Sequence, residues 1–381
     1  MDTPLWDDIR IGNLQIRNRF VRSATWEGMC DEKGCPTPRL AECYRDLARG
    51  GVGLLITGYT YVHPKGKQMV GTLGLHSDDT LPCLKDLTKA VHQEGASLFC
   101  QLFHAGAQTS TRIIGEQPVA PSPVASPFYS GVPREMTPAE IAEVVAAFAD
   151  AARRAREAGF DGVQLHGAHG YLINQFLSPM TNRRDDDYGG SRDTRFRFLE
   201  QIYLAVRKEV GSGYPVTVKL SGSDNLEGGI GIEDAVDAAQ RLENLGIDAI
   251  EVSAGTSGSG DGVPVRKGIN REEKEAYNAA FACRIREAVN VPVMLVGGLR
   301  SLPVIQRLFR EGCADMFSLS RPLIREPDLV NRWRDEPEHR STCISCNKCF
   351  RPGMREGGIY CVIERAQQES RIQKSGARRK P

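Results

Sequence analysis

This chain has almost no excess charge of either sign. Its 381 residues carry 49 Lys and Arg against 48 Asp and Glu, a formal net charge of +1. That balance supplies no field for a polyelectrolyte, so nucleic acid is not an expected partner. Long apolar runs are missing as well. None approaches the roughly 20 residues that a helix needs to cross a bilayer, and a membrane protein is not expected. The opening Met1-Asp-Thr-Pro-Leu-Trp-Asp-Asp8 is acidic and lacks the apolar core of a secretory signal. What remains is ordinary globular composition, 40% hydrophobic and 25% charged, expected in the cytoplasm. Cysteine is plentiful, at 11 residues. Without a signal these point to a reducing compartment, where thiols stay free or ligate metal.

Short apolar runs suited to buried parallel strands recur at 19–23, 53–57, 97–103, 162–166, 216–220, 249–253, 293–296 and 316–319. Helical periodicity fills the intervals at 38–49, 79–93, 138–157, 194–210, 232–245, 271–289 and 302–310. Thr137-Pro138-Ala139-Glu140 gives one of these helices an N-cap, a first-turn proline and an early acid, and Gly159 closes it. Strands and helices in alternation build either a doubly wound sheet or a barrel. The count of eight and the length favour a (β/α)8 TIM barrel over residues 1–340. Ile9–Ile16 alternates around Gly12-Asn13, a hairpin signal suited to plugging the barrel floor. Residues 107–136, rich in Pro, Ser and Gly after the third strand, are expected to form a lid or substrate loop. The alternation ends after Arg340. Residues 341–364 form a cysteine-rich metal or cluster segment, and 365–381 a basic tail expected to be disordered.

His166-Gly-Ala-His169-Gly-Tyr171 leaves the carboxyl end of the fourth strand, where β/α proteins bind ligands. Two imidazoles can hydrogen-bond an anionic or carbonyl oxygen, and a phenol can deliver a proton. A single histidine there reads as a cap or a satisfied core residue; the His-x-x-His-x-Tyr constellation reads as functional. Other strand ends add Ser23-Ala24-Thr25-Trp26, Gly58, Gln101, His104, Lys219, Gly297-Gly298 and Ser320-Arg321. Glycines after the seventh strand and an arginine after the eighth suit a phosphate: bare backbone N–H groups approach it and a guanidinium grips it. Lys219 lies in an apolar strand, where a charge needs a carboxylate partner or an anionic ligand. Gln101 suits either a core amide network or the pyrimidine edge of a flavin.

In combination, Gln101-Leu-Phe-His-Ala-Gly106, His166-Gly-Ala-His-Gly-Tyr-Leu172, Gln175-Phe-Leu-Ser-Pro179, Thr181-Asn-Arg-Arg184, Tyr188-Gly-Gly-Ser191 and Ser320-Arg-Pro-Leu323 resemble the old yellow enzyme family of flavin oxidoreductases. The likeness runs from Pro4 to about Trp333. It implies a barrel with non-covalent FMN, reduced by NADH or NADPH and reoxidised by an electron-poor alkene. By that resemblance Ser23, Ala24, Thr25, Trp26 and Gly58 line the flavin, and Gln101 bonds its pyrimidine edge. Lys219 stands near N1 and O2, while Gly297, Gly298, Ser320 and Arg321 hold the phosphate. His166 and His169 bind the substrate's carbonyl oxygen, and Tyr171 protonates Cα after flavin N5 delivers hydride to Cβ. The implied activity is an ene-reductase acting on an α,β-unsaturated carbonyl or thioester, in a homo-oligomer. The nicotinamide would dock on the flavin face, so no dinucleotide fingerprint of its own is expected. Two positions depart from the pattern. Ala107 stands where many members have Arg, and Trp26 stands where some carry a cysteine or threonine, with an indole expected to narrow the pocket.

Cys343-Ile-Ser-Cys346-Asn-Lys-Cys349 and Cys361 have spacing suited to a [4Fe–4S] cluster, to zinc, or to free thiols. The segment resembles that of trimethylamine dehydrogenase and, more loosely, 2,4-dienoyl-CoA reductase. In those proteins a cluster passes electrons between FMN and a further nucleotide-binding domain, which is not expected here, with about twenty residues after Cys361. A redox partner protein would then feed or drain the cluster. Two rival functions follow: an amine dehydrogenase or demethylase passing electrons through the cluster, and an electron-transfer subunit of a larger redox complex.

Overall fold

The computed structural model of the chain describes residues 4–126, 129 and 131–377. Its centre is eight parallel strands: β1 (Phe20–Arg22), β2 (Leu54–Ile56), β3 (Ser97–Phe103), β4 (Gly162–Gly167), β5 (Val216–Ser221), β6 (Ala249–Ser253), β7 (Val293–Val296) and β8 (Met316–Leu319). Each pairs with the next, and β8 pairs with β1, so the sheet closes on itself. The (β/α)8 barrel read from the periodicity is therefore the fold.

Helices α1 (Pro38–Arg49), α2 (Leu81–His92), α3 (Pro138–Glu157), α4 (Arg192–Val210), α5 (Ile232–Leu245), α6 (Ala279–Ala288), α7 (Leu302–Arg310) and α8 (Leu329–Asp335) follow strands one to eight. Their apolar faces and the outward strand residues share one continuous core, because parallel strands covered on both sides must be apolar on both. Thr137 caps α3 as expected, and Glu140 reaches back to its N–H to complete a capping box. A longer helix was expected over 271–289, yet α6 is short and only a 3-10 turn, Glu272–Lys274, precedes it. The reason is Glu275. Its buried carboxylate accepts the Arg300 and Ser301 N–H groups at 2.9 and 3.1 Å, which draws 271–278 into a loop over the barrel mouth.

At the floor, Ile9–Ile11 and Leu14–Ile16 pair as the expected antiparallel hairpin. Ile11 and Ile16, both fully buried, pack with Val21, Leu54, Ile56, Phe99, Met294 and Met316 inside the barrel. This apolar plug seals the amino-terminal end of the strands and leaves the carboxyl end for a ligand.

In the expected lid, Val119–Ala120 pairs with Arg134–Glu135; residues 127, 128 and 130 lie outside the described set. Beyond the barrel, the helix Phe350–Arg355 sits over Trp26: a Cβ on Gly353 would lie 2.8 Å from the indole. Residues 365–377, expected to be disordered, belong to the helix Val362–Ala377, where Arg365 pairs with Glu369 one turn on; residues 378–381 are outside the described set.

The cysteines require a correction. Cys35–Cys83 and Cys283–Cys313 are disulfides, so not every cysteine is a free thiol or a ligand. The partners are 48 and 30 residues apart and meet only through barrel packing, which spacing along the chain does not reveal. All four cysteines of the carboxyl-terminal segment are free.

Candidate active site

The carboxyl ends of the strands open into a cleft of about 590 Å³. Eight of the expected residues line it: Ser23, Ala24, His169, Lys219, Gly297, Gly298, Ser320 and Arg321. Gly297 and Gly298 have φ of +146° and +76°, conformations that side chains rarely adopt. A Cβ would also meet Asn278 and Tyr277 at 2.8 Å, so this loop after β7 is bare by necessity and its backbone can approach a ligand. Arg321 follows the neighbouring strand β8, also lines the cleft and is 6% exposed. Between them the Ser318 hydroxyl is buried on the cleft wall without a hydrogen-bond partner. A buried hydroxyl left unpaired is costly, and a ligand oxygen would satisfy it. Bare glycines, a guanidinium and an orphan hydroxyl fit the phosphate end of FMN.

Below the cleft runs a buried polar chain. Gln101 donates to Gln164 at 2.7 Å, Gln164 donates to Glu251 at 3.0 Å, and Ser23 donates to Glu251 at 2.7 Å. Lys219 Nζ lies 3.1 Å from Glu251 and 3.0 Å from the Ser23 hydroxyl. Lys219 thus has a carboxylate partner, and it also lines the cleft. Gln101 joins this network and is not among the residues lining the cleft. Glu251 went unnoticed in the sequence, although a carboxylate within Ala249–Ser253 carries the same signal that marked Lys219.

His169 stands at φ +64°, uncommon for a residue with a side chain. It is held there by Ser221, which accepts its N–H at 3.2 Å, by Gln108, which donates to its carbonyl at 2.7 Å, and by Ser253 at 2.7 Å from Nε2. His166 meets His169 edge-on at 5.1 Å between ring centroids, and Tyr171 meets His166 at 4.8 Å. The Ala168 N–H donates to His166 Nδ1 at 3.4 Å, which leaves Nε2 as the protonated nitrogen. Burial pushes the pKa of His166 well down and that of His169 down to about 3; the neighbouring positive groups, Lys219 above all for His169, add to the effect. Both imidazoles are therefore neutral donors. Burial raises the Tyr171 phenol above its ordinary value, so it keeps its proton. Its hydroxyl donates to Gln68 at 2.9 Å, and Gln68 in turn donates to Tyr129 of the expected lid at 3.0 Å. Nothing in the sequence marked Gln68.

Three of the residues expected to line the flavin are not among those lining this cleft. Thr25 bonds the cleft-lining Ser320 at 2.8 Å. Gly58 donates its N–H to Tyr44 at 3.0 Å and sits against Glu27, whose carboxyl burial pushes up to about 7 despite Arg22. Trp26 does not narrow this cleft: its ring lies under Gly353, among the core residues beneath the cap formed by the helix Phe350–Arg355.

Cys343, Cys346, Cys349 and Cys361 line one cavity of about 320 Å³, together with Arg321 and Arg325. As placed, no group of three or more His, Cys, Asp or Glu among the described residues forms a ready metal-ligand set. Neither zinc nor a cluster is thereby shown.

Fold and cleft together define a (β/α)8 barrel whose open end sets a glycine- and arginine-lined cleft beside an imidazole–phenol constellation. The chain matches the NADH:flavin oxidoreductase / NADH oxidase family over residues 4–339 and belongs to that family of FMN oxidoreductases. It is 41% identical to an NADH oxidase of Thermoanaerobacter brockii over 90% of this chain and 52% of that protein. Among solved structures it is similar to a 2-naphthoyl-CoA reductase, with TM-score 0.89 and 32% identity over 94% of this chain and 56% of the other. It is also similar to the old yellow enzyme homologue from Zymomonas mobilis, with TM-score 0.76 and 28% identity over 90% and 96% of the two chains. The chain spans about half the length of the first and second of these proteins. Among the described residues no helix is long and apolar enough to cross a membrane.

Proposed function

We propose that this protein is an FMN-dependent ene-reductase acting on an α,β-unsaturated carbonyl or thioester. The observation that carries the reading is the packing of His166, His169 and Tyr171 into one cluster, with His169 on the cleft wall. Bound FMN would supply hydride to the alkene, and NADH or NADPH would restore it. Gly297, Gly298, Ser320 and Arg321 would hold its phosphate, and Lys219 would place a positive charge beside its pyrimidine ring. His166 and His169, neutral and fixed, would donate to the carbonyl oxygen, where negative charge grows in the transition state. Tyr171 keeps its proton until Cα needs it. The segment over 107–136 would close the cleft as a lid. An electron-poor alkene and a nicotinamide are the partners in this reading. It places the enzyme in the cytoplasm, where the reductant is found, although the two disulfides weigh against that compartment.

The four free thiols around one cavity support a [4Fe–4S] cluster at 341–364. That same cavity favours a second reading, in which an amine substrate is oxidised and electrons leave through the cluster to a partner protein.

Anaerobic stopped-flow reoxidation tests the first reading. Reduced protein should recover oxidised flavin absorbance on mixing with cyclohexenone, an enoyl thioester or a nitroalkene. Failure with all three, alongside turnover of methylated amines with an artificial acceptor, would replace it with the second.

A further inference from the structure

We propose that the cysteine segment completes the flavin-phosphate site, with Asn347 as the residue that positions Arg321. The inference rests on the reading of the Gly297–Arg321 cleft as the seat of the FMN phosphate. Arg321 is the shared wall, since it lines both the cleft and the cavity of the four thiols. Its Nη1 donates to Asn347 Oδ1 at 2.6 Å and to the Arg266 carbonyl at 2.7 Å. Asn347 lies between Cys346 and Cys349 and is itself anchored, donating from Nδ2 to the Val265 carbonyl at 2.9 Å. One amide thus ties the cysteine loop, the loop after β6 and the arginine together.

The backbone of the segment is shaped for this contact. Ser345 and Asn347 have φ of +53° and +61°, in the left-handed region that disfavours side chains. These conformations turn Ser345 onto the cleft wall, where its carbonyl accepts the Gly268 N–H at 3.2 Å. The other half of the cradle is tied to the segment too. Arg300, just past Gly297-Gly298, donates to the Ser341 carbonyl at 2.5 Å and accepts the Ser341 N–H at 2.9 Å. Both arms of the phosphate cradle therefore lean on residues 341–347, outside the barrel.

A guanidinium grips phosphate well only when its planar fork is already oriented. Removing the Asn347 carbonyl leaves Nη1 with one backbone acceptor and frees the fork to turn. The effect falls on the phosphate and spares the isoalloxazine ring, which other elements hold. By linkage, whatever folds the cysteine loop also tightens FMN, and FMN tightens the loop by the same factor.

Flavin-stripped full-length protein should be titrated with FMN and with riboflavin, which lacks the phosphate, following flavin fluorescence. In Asn347→Ala the FMN dissociation constant should rise about tenfold, the loss of one charge-assisted hydrogen bond, while that of riboflavin stays put. The preference for FMN over riboflavin then collapses by the same factor. Met354→Ser, an exposed change on the same cap, should leave both constants at their wild-type values. An unchanged FMN preference in Asn347→Ala overturns the proposal. So does equal weakening of both flavins, or the same loss in Met354→Ser, because either marks a general loosening of the cap. Wild-type protein that binds riboflavin as tightly as FMN would instead overturn the phosphate reading beneath it.

Discussion

Lys219 and Glu251 face each other in register on β5 and β6, with Nζ 3.1 Å from Oε2 and both side chains buried. Taking two charges out of water is costly, and the pair persists because Ser23 and Gln164 complete the carboxylate's hydrogen bonds. The ammonium next to the cleft is thus balanced from below and fixed in place.

Breaking that balance should be visible in both stability and redox behaviour. Glu251→Gln leaves a buried positive charge uncompensated and should cost about 3–5 kcal/mol in chemical denaturation. It should also raise the flavin midpoint potential by about 30 mV, since an unpaired cation favours the anionic reduced ring. A potential equal to or below that of the wild type would show that Lys219 does not face the flavin.

Tyr171→Phe removes the phenol and keeps the ring packed between Phe103 and His166. Reoxidation by an enone should slow by about 10²–10⁴-fold, with flavin reduction by the nicotinamide little changed. Equal slowing of both half-reactions would remove the proton-donor role.

The two site histidines set the pH behaviour. An exposed imidazole titrates near 6.5, whereas burial holds His169 down at about 3 and His166 well below the ordinary value. Enone reoxidation should therefore show no inflection between pH 5 and 8. Stability carries the opposite signature. The unfolded chain takes up protons at these sites below about 6.5 while the folded one does not, so their contribution is present above that pH and lost as pH falls toward 3. In denaturant titrations at pH 7 and pH 5, His169→Asn should flatten the loss on acidification. A slope as steep as that of the wild type would contradict the buried neutral form.

If the thiol cavity holds a cluster, anaerobically purified protein should contain about four iron and four acid-labile sulfide per chain. Cys343→Ser should lower both. An iron-free preparation with one equivalent of zinc would assign the cavity to zinc instead.

Much of the barrel was legible along the chain. Ser97–Phe103, Val293–Val296 and Met316–Leu319 are strands over the expected residues, and Ile9–Ile16 is the floor hairpin. Buried parallel strands must be continuously apolar, and surface helices must alternate with a helical period, so these patterns are local. Polar residues inside or just after such strands, Lys219, His166 and His169 among them, were legible for the same reason: water-loving groups there need a partner or a ligand. The helix over 271–289 was misjudged because Glu275 is captured by backbone N–H groups at Arg300 and Ser301, a contact across 25 residues.

The sequence by itself determined the barrel, its open end and the residue types gathered there, because apolar periodicity and buried polarity are written residue by residue. Only the tertiary structure decided which of those residues share a wall. It left Gly58 and Trp26 out of the cleft lining, paired Lys219 with Glu251, joined Tyr171 to Gln68 and set Arg321 between two cavities. Each of these depends on side chains far apart in the chain meeting in space, brought together by closure of the sheet and by the loops and carboxyl-terminal segment packed on its open end.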